Sequence, residues 1–234
     1  MNTRVLEIRK NVLSKNDELA AVLRKRFAEA GVTVLNLVSS PGSGKTEFLQ
    51  KTLTILKQSG LRVAALVGDL ETDNDARRLA ASGVPVRQIN THRCCHLEAA
   101  MIDEHLAGWP LHEFDFLFIE NVGNLVCPSS YDLGEQLRVA FLSVTEGEDK
   151  PLKYPGMFNS SDIAVITKID LSVACEFDLS AARTSLDSVR PGMRIFEVSA
   201  KRGTGMDQWI EWLLDIRSAS RSASTQLTAT PTAS

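Results

Sequence analysis

The chain has 234 residues, 44% hydrophobic and 24% charged, with 26 Lys+Arg against 29 Asp+Glu for a formal net charge of -3. That is ordinary globular composition, enough for one large α/β domain or two small ones. It argues against a protein held to nucleic acid by charge alone, and no apolar run approaches the roughly 18 residues of a membrane span. Four cysteines are too few for a disulfide scaffold, and the opening MNTRVLEIRKNVLSKNDELAA lacks the apolar centre of a signal peptide, so the expected location is the cytoplasm.

Taken in chain order, KNDELAAVLRKRFAEA (15–30) puts Leu19, Val22, Leu23 and Phe27 on one helical face, and Gly31 ends that helix. Residues 1–31 read as a helical extension before the main fold. VTVLNLVSS (32–40) is an apolar strand, followed by a glycine turn and a helix running to Gly60. LRVAALVGDL (61–70) is a second strand, TDNDARRLAASG a helix and VPVRQI a short strand. A helix through LEAAMIDEHLA leads to the strand DFLFIE (115–120). Further strands are expected at 137–145, 161–171 and 194–200, with helices at 178–189 and 207–216. Apolar strands alternating with amphipathic helices predict an α/β domain over 32–216, a mostly parallel sheet with helices on both faces. The tail 217–234, RSASRSASTQLTATPTAS, is small and polar without periodicity and is expected to be disordered.

SSPGSGKT, Ser39 to Thr46, lies between a strand and a helix, the context a phosphate-binding loop requires. Gly42, Ser43 and Gly44 would let backbone N–H groups surround phosphate oxygens, with Glu47 just beyond. Lys45 would reach the β- and γ-phosphates, and the Thr46 hydroxyl would bind Mg²⁺. The usual first glycine, five positions before Gly44, is Ser39 here. TKID, Thr167 to Asp170, closes a strand and resembles the guanine-reading element of GTPases. There the Asp170 carboxylate would accept two hydrogen bonds that adenine cannot offer, and the Lys168 stem would lie along the ring. VSAK, with Ser199, Ala200 and Lys201, resembles the next GTPase element, where the Ala200 amide would meet guanine O6.

Two more carboxylates close strands at the same sheet edge, outside the carboxyl ends where ligands bind in open α/β sheets. Asp69 could hold Mg²⁺ through water or orient the attacking water. Asp75 could act in the site or cap a helix. Glu120 occupies a Walker-B-like place, with Gly123 able to approach a γ-phosphate closely. No glutamine is placed to orient water, so a carboxylate is expected to do so, and slowly.

THRCCHLEAA holds His92, Cys94, Cys95 and His96, and NLVCPSS holds Cys127. Both segments are loops at the active edge, and their thiolate and imidazole groups suit Ni²⁺ or Zn²⁺. Spacing alone leaves open whether they bind metal or are small buried residues. Cys175 has no nearby histidine and reads as a bystander.

SSPGSGKT, GDLETDNDA, CCHLEA, IENVGNLVCP–SSYDLGE and TKIDL, in that order, resemble the HypB-type nickel-insertion GTPases of [NiFe]-hydrogenase maturation. The resemblance spans about residues 15–216, and IENVGNLVCP is its most specific piece. It implies a dimerising P-loop GTPase of the signal-recognition/MinD class. It also implies a metal site of Cys95, His96 and Cys127 near the subunit interface, with Cys94 open. The implied activity is GTP hydrolysis with Mg²⁺, cycling through GDP, coupled to nickel delivery to a hydrogenase large-subunit precursor beside a zinc-containing HypA-type partner. Many such proteins begin with a cysteine-rich nickel-binding segment or carry a histidine-rich stretch. Here the first cysteine is Cys94 and the histidines are four, so high-affinity nickel storage is not expected. A urease- or cobalamin-type metal-delivery GTPase, a P-loop small-molecule kinase and a non-hydrolysing nucleotide-binding module are the alternatives. TKID and VSAK count against the kinase; Lys45 and Thr46 count against the last.

Overall fold

The computed structural model describes residues 3–69, 74–91 and 94–228, with the backbone path alone for 3–10 and 220–228. The elements in order are α1 (Thr3–Ala30), β1 (Thr33–Ser39), α2 (Lys45–Gln58), β2 (Val63–Asp69), α3 (Asn74–Ala80), β3 (Val86–Asn90) and α4 (Ala99–His105). They continue with β4 (Phe116–Gly123), β5 (Leu137–Ser143), α5 (Lys150–Lys153), α6 (Pro155–Asn159), β6 (Ile163–Thr167), α7 (Leu179–Val189), β7 (Arg194–Val198) and α8 (Met206–Thr228). The seven strands form one sheet in the order β3-β2-β4-β1-β5-β6-β7, and every pairing is parallel. From β1 the chain passes to β2 and β3 on one side of the sheet, and after β4 it crosses to β5, β6 and β7 on the other, a reversal beside β1 that opens a crevice at the carboxyl edge.

Strand alternation sorts the core into two faces. Leu35 and Leu37 of β1 and Phe116 and Phe118 of β4 pack with Phe48 and Leu53 of α2 and with Trp209 and Leu213 of α8. On the other face, Val34, Leu117 and Ile119 meet Leu23 and Phe27 of α1 and Ile102 of α4. The rest of that face, Ala140, Leu142 and Ile166, is covered by Phe158 of α6 and Leu186 of α7. Glu120 and Asn121 are neighbours on β4 and therefore point to opposite faces.

Four expectations change. The N-terminal helix begins at Thr3 rather than 15, and it is part of one face of the core instead of a preceding extension. Val22 is 61% exposed, because the buried stripe runs through Asn16, Ala20, Leu23 and Phe27, and Val22 lies beside it. The segment from Arg217, expected to be disordered, continues α8 to Thr228. Its Ser and Ala residues lack apolar periodicity but contain no helix breaker before Pro231. Arg217 also ties the helix down, donating to Asp115 Oδ1 from Nε at 3.0 Å and from its terminal nitrogen at 2.7 Å. The strand expected through 171 stops at Thr167, and residues 169–171 form a 3-10 turn.

Candidate functional site

The loop after β1 turns through Gly42 (φ 73°) and Gly44 (φ 95°), left-handed values that glycine adopts without Cβ strain. Gly44 caps α2, so the positive end of that helix faces the loop. Lys45 is buried, and its Nζ donates to Ser39 Oγ at 2.7 Å. Burial pushes its pKa down, while Glu120, Asp75 and Glu146 pull it up. The Thr46 hydroxyl donates to Glu120 Oε1 at 2.7 Å. Glu120 is buried too, and burial raises its carboxyl pKa against the opposing pull of Lys45 and Thr46. Among the described residues, the buried Ser43 Oγ and Glu120 Oε2 alone lack a hydrogen-bond partner. Unpaired buried oxygens facing a glycine loop and an ammonium suit a phosphate-bound divalent cation and its water shell.

A cavity of about 410 Å³ is lined here by the loop 41–47 and by Asp69, Asp75, Arg78, Glu120, Asn121 and Gly123. A Cβ on Gly123 would stand 2.9 Å from Pro41 Cα, so glycine at this position lets β4 end directly against the phosphate loop. A second cavity of about 380 Å³ adjoins it through Gly44 and Glu47. Its other walls are Thr167, Lys168, Asp170, Leu171, Ser199, Ala200 and Lys201. Thr167, which replaces the common Asn, donates from Oγ1 to Ser43 O at 2.6 Å. Lys168 sits at φ 59° and donates from Nζ to Gly42 O at 2.7 Å. The base-reading and phosphate-holding segments are thus stitched together, and the two cavities form one elongated groove with Asp170 at one end and Lys45 at the other.

On the opposite face of β4, two loops bring Cys95, His96 and Cys127 together, with all three ligand atoms within 4.8 Å of one another. Cys95 Sγ donates to Cys127 Sγ at 2.7 Å and lies 3.7 Å from His96 Nδ1. The Cys127 partner and burial push the Cys95 thiol pKa up. His96 Nε2 is 3.3 Å from Glu98 Oε1, and its ring stacks on Tyr131 with centroids 3.8 Å apart. A carboxylate behind the imidazole fixes its orientation, the usual arrangement behind a ligating histidine. Cys127 opens a short 3-10 turn, and its N–H donates to Asn124 Oδ1 at 3.1 Å. Two sulfurs and one imidazole, partly buried and free of disulfides, make three ligands for a borderline metal, with at least one position left open.

Asp69, Asp75 and Glu120 line the phosphate cavity, and Cys95, His96 and Cys127 form the thiol–imidazole cluster. Asp75 is in the first turn of α3 and lines the phosphate cavity. Cys94 stays outside the three-residue cluster, and Cys175 is exposed. His92 lies outside the described residues. Sequence reasoning missed Ser39 as the acceptor for Lys45. It also missed Glu146, which accepts from the Ser40 hydroxyl and from Ser143 N, and Glu98 and Tyr131 at the imidazole. Asn36 and Asn121, polar residues inside apolar strands, were the one available signal for the buried polar network described below.

Comparison with known proteins agrees with this arrangement. The family described as "CobW/HypB/UreG, nucleotide-binding domain" matches residues 33–197. The hydrogenase maturation factor HypB of Escherichia coli K12 is 51% identical over 210 residues, spanning 90% of this chain and 72% of that protein. The crystal structure of HypB from Helicobacter pylori in complex with nickel superposes with a TM-score of 0.81 at 40% identity, covering 94% of this chain and 99% of that one. The hydrogenase maturation factor HypB from Archaeoglobus fulgidus gives the same TM-score, 0.81, at 35% identity, covering 87% and 99%.

Proposed function

This chain belongs to the CobW/HypB/UreG nucleotide-binding family and, within it, to the HypB hydrogenase maturation factors, and from that premise we propose how its two sites divide the work of a nickel-delivering GTPase. The groove takes GTP and GDP. Asp170 reads the guanine edge, with Lys168, Ser199, Ala200 and Lys201 around the base. Gly42, Ser43, Gly44 and Lys45 hold the phosphates, and Thr46 and Asp69 hold Mg²⁺. Glu120 or Asp75 orients the attacking water. Lys45 stabilises charge that builds on the leaving phosphate oxygens, and this group of fixed charges is where the rate arises.

Nickel is the cargo of this protein. Cys95, His96 and Cys127 hold it, zinc competes for the same ligands, and water or a second subunit completes the set. The single observation that carries this reading is the convergence of three soft ligands from two loops at the sheet edge that also forms the phosphate cavity. The nickel-bound Helicobacter pylori relative supports it. The working form is a homodimer that tightens with GTP, receives nickel from a HypA-type zinc-containing partner and passes it to a hydrogenase large-subunit precursor in the cytoplasm. Neither nucleic acid nor a membrane takes part. Among the described residues no helix is long and apolar enough to cross a membrane.

Nickel and zinc titrations of the unmodified chain, Cys95→Ala and Cys127→Ala, run beside GTP and ATP turnover, test the reading. The expected result is metal binding lost in both variants and hydrolysis confined to GTP. Unchanged metal affinity in both variants removes the cargo site, and equal use of ATP and GTP removes the guanine assignment.

A further inference from the structure

Asn16 lies on the buried stripe of α1 between the apolar residues that anchor the helix, and it is 7% exposed. A primary amide in that position is costly unless both its ends are paired. Both are. Oδ1 accepts from Ala99 N at 2.9 Å, and Nδ2 donates to Asp132 O at 2.8 Å. A backbone N–H can only donate and a carbonyl can only accept, so the two partners fix which way the amide faces. Ala99 follows His96 by three positions and Asp132 follows Cys127 by five. One side chain from the N-terminal helix therefore joins the two segments that carry the metal ligands.

A second bridge runs alongside the first. Asn121 Oδ1 accepts from Leu97 N at 3.1 Å, and its Nδ2 donates to Asn36 Oδ1 at 3.3 Å. Asn36 Nδ2 donates to Glu135 Oε1 at 3.0 Å, and Glu135 Oε2 accepts from Leu133 N at 2.8 Å. Leu97 is next to His96, and Leu133 is next to Asp132. The helix is also pressed onto the Cys127 segment. Arg24 donates to Asp132 at 2.6 Å, and a Cβ on Gly134 would come within 2.8 Å of Ala20 O. Both bridges end on the same two ligand-bearing segments. Ligand sets tolerate only about 0.5 Å of misplacement, so whatever fixes one loop against the other sets the affinity of the site.

We infer that Asn16 is a positioning residue for nickel, holding the Cys95–His96 loop against the Cys127 loop so that α1 is part of the metal site. The inference rests on the reading of that cluster as the nickel site. The test uses the full chain with Asn16→Ala, Asn16→Asp and Cys127→Ala. Nickel affinity is read by competition with a chromophoric chelator and by the nickel–thiolate charge-transfer absorption, and metal-free GTP turnover and thermal unfolding are followed in parallel. Asn16→Ala should weaken nickel binding about 10–100-fold and reduce the charge-transfer band, with GTP turnover within about twofold of the unmodified chain. Asn16→Asp keeps the acceptor for Ala99 but sets a second acceptor against the Asp132 carbonyl, so it releases the Cys127 side of the clamp and should weaken nickel binding as well; it carries the test alone if the alanine variant does not fold. Unchanged nickel affinity in the Asn16 variants, with loss in Cys127→Ala, overturns the clamp and leaves the site standing. A parallel fall in GTP turnover also overturns it, since a general loosening is then the cause. Retention of nickel by Cys127→Ala removes the site itself, and the clamp with it.

Discussion

Ser39 stands where such loops carry their first glycine, and its hydroxyl gives the buried Lys45 ammonium a neutral acceptor. A neutral oxygen offsets little of the cost of burying the charge, and burial accordingly depresses the Lys45 pKa. In the proposed GTP site a phosphate would supply the missing countercharge, which would place the binding energy of this lysine where negative charge accumulates. Lys45→Ala should lower single-turnover GTP hydrolysis by about 10²–10³. Thermal unfolding of the nucleotide-free variant should be unchanged or raised, because the deleted group is a desolvated charge. Asp170→Asn should erode the preference for GTP over ATP by roughly a hundredfold, about 3 kcal/mol for two hydrogen bonds to a carboxylate, read as a ratio of binding constants. At Gly123 an added methyl would meet backbone rather than a flexible side chain, at 2.9 Å from Pro41 Cα. Gly123→Ala should cost about 1–3 kcal/mol in denaturant unfolding and weaken GTP binding, since only displacement of the phosphate loop relieves the clash.

Helix α8 is long because its amphipathic first half is anchored by Trp209 and Leu213 and its middle by Arg217. The Arg217 guanidinium meets Asp115, a carboxylate 2% exposed that also accepts from Arg62 N at 2.9 Å. Removing the cation leaves that buried charge short of its main partner. Arg217→Ala should destabilise the fold by about 3 kcal/mol, lowering the melting temperature by roughly 6–12 °C. Ending the chain just after Arg217 keeps the pair, and the Ser- and Ala-rich remainder has little apolar surface to offset the entropy of ordering it. The shortened chain should melt within a few degrees of the full one. A large fall would mean that the last turns of α8 dock.

At the scale of the molecule, β4 separates the two sites by one residue. Glu120 faces Thr46 and the cavity lined by the glycine loop on one side of the sheet, and Asn121 faces the backbone beside His96 on the other. Loops at this edge of P-loop GTPases take different arrangements with and without the γ-phosphate, so the metal cluster should sense nucleotide state. Linkage makes the effect reciprocal: if a GTP analogue changes nickel affinity by some factor, nickel changes affinity for that analogue by the same factor. Titrations in both orders on the apo and GDP-bound protein should give one matched factor, about 5–150-fold for a coupling of 1–3 kcal/mol. Equal nickel affinity in every nucleotide state would sink the coupling while leaving both sites intact.

Residue order alone determined the parallel sheet and the strand–loop–helix context of SSPGSGKT and TKID, while the candidate metal ligands Cys95, His96 and Cys127 were singled out only through the family resemblance. The sheet and both motifs are local: short apolar runs, glycines at fixed offsets from Lys45, a carboxylate closing a strand. The ends of the elements were less legible, and α8 outran its apolar pattern because Arg217 finds its partner at Asp115, more than a hundred positions away. Tertiary structure decided what the polar residues inside apolar segments are for. Asn16, Asn36 and Asn121 lie far apart in the chain and carry no motif, and each reads locally as a helix start or a strand blemish. Only in the folded molecule do the Asn16 and Asn121 amides meet the backbone N–H groups of Ala99 and Leu97, and only there does Asn36 link Asn121 to Glu135. A buried amide must find both a donor and an acceptor, and those partners exist only in the folded molecule.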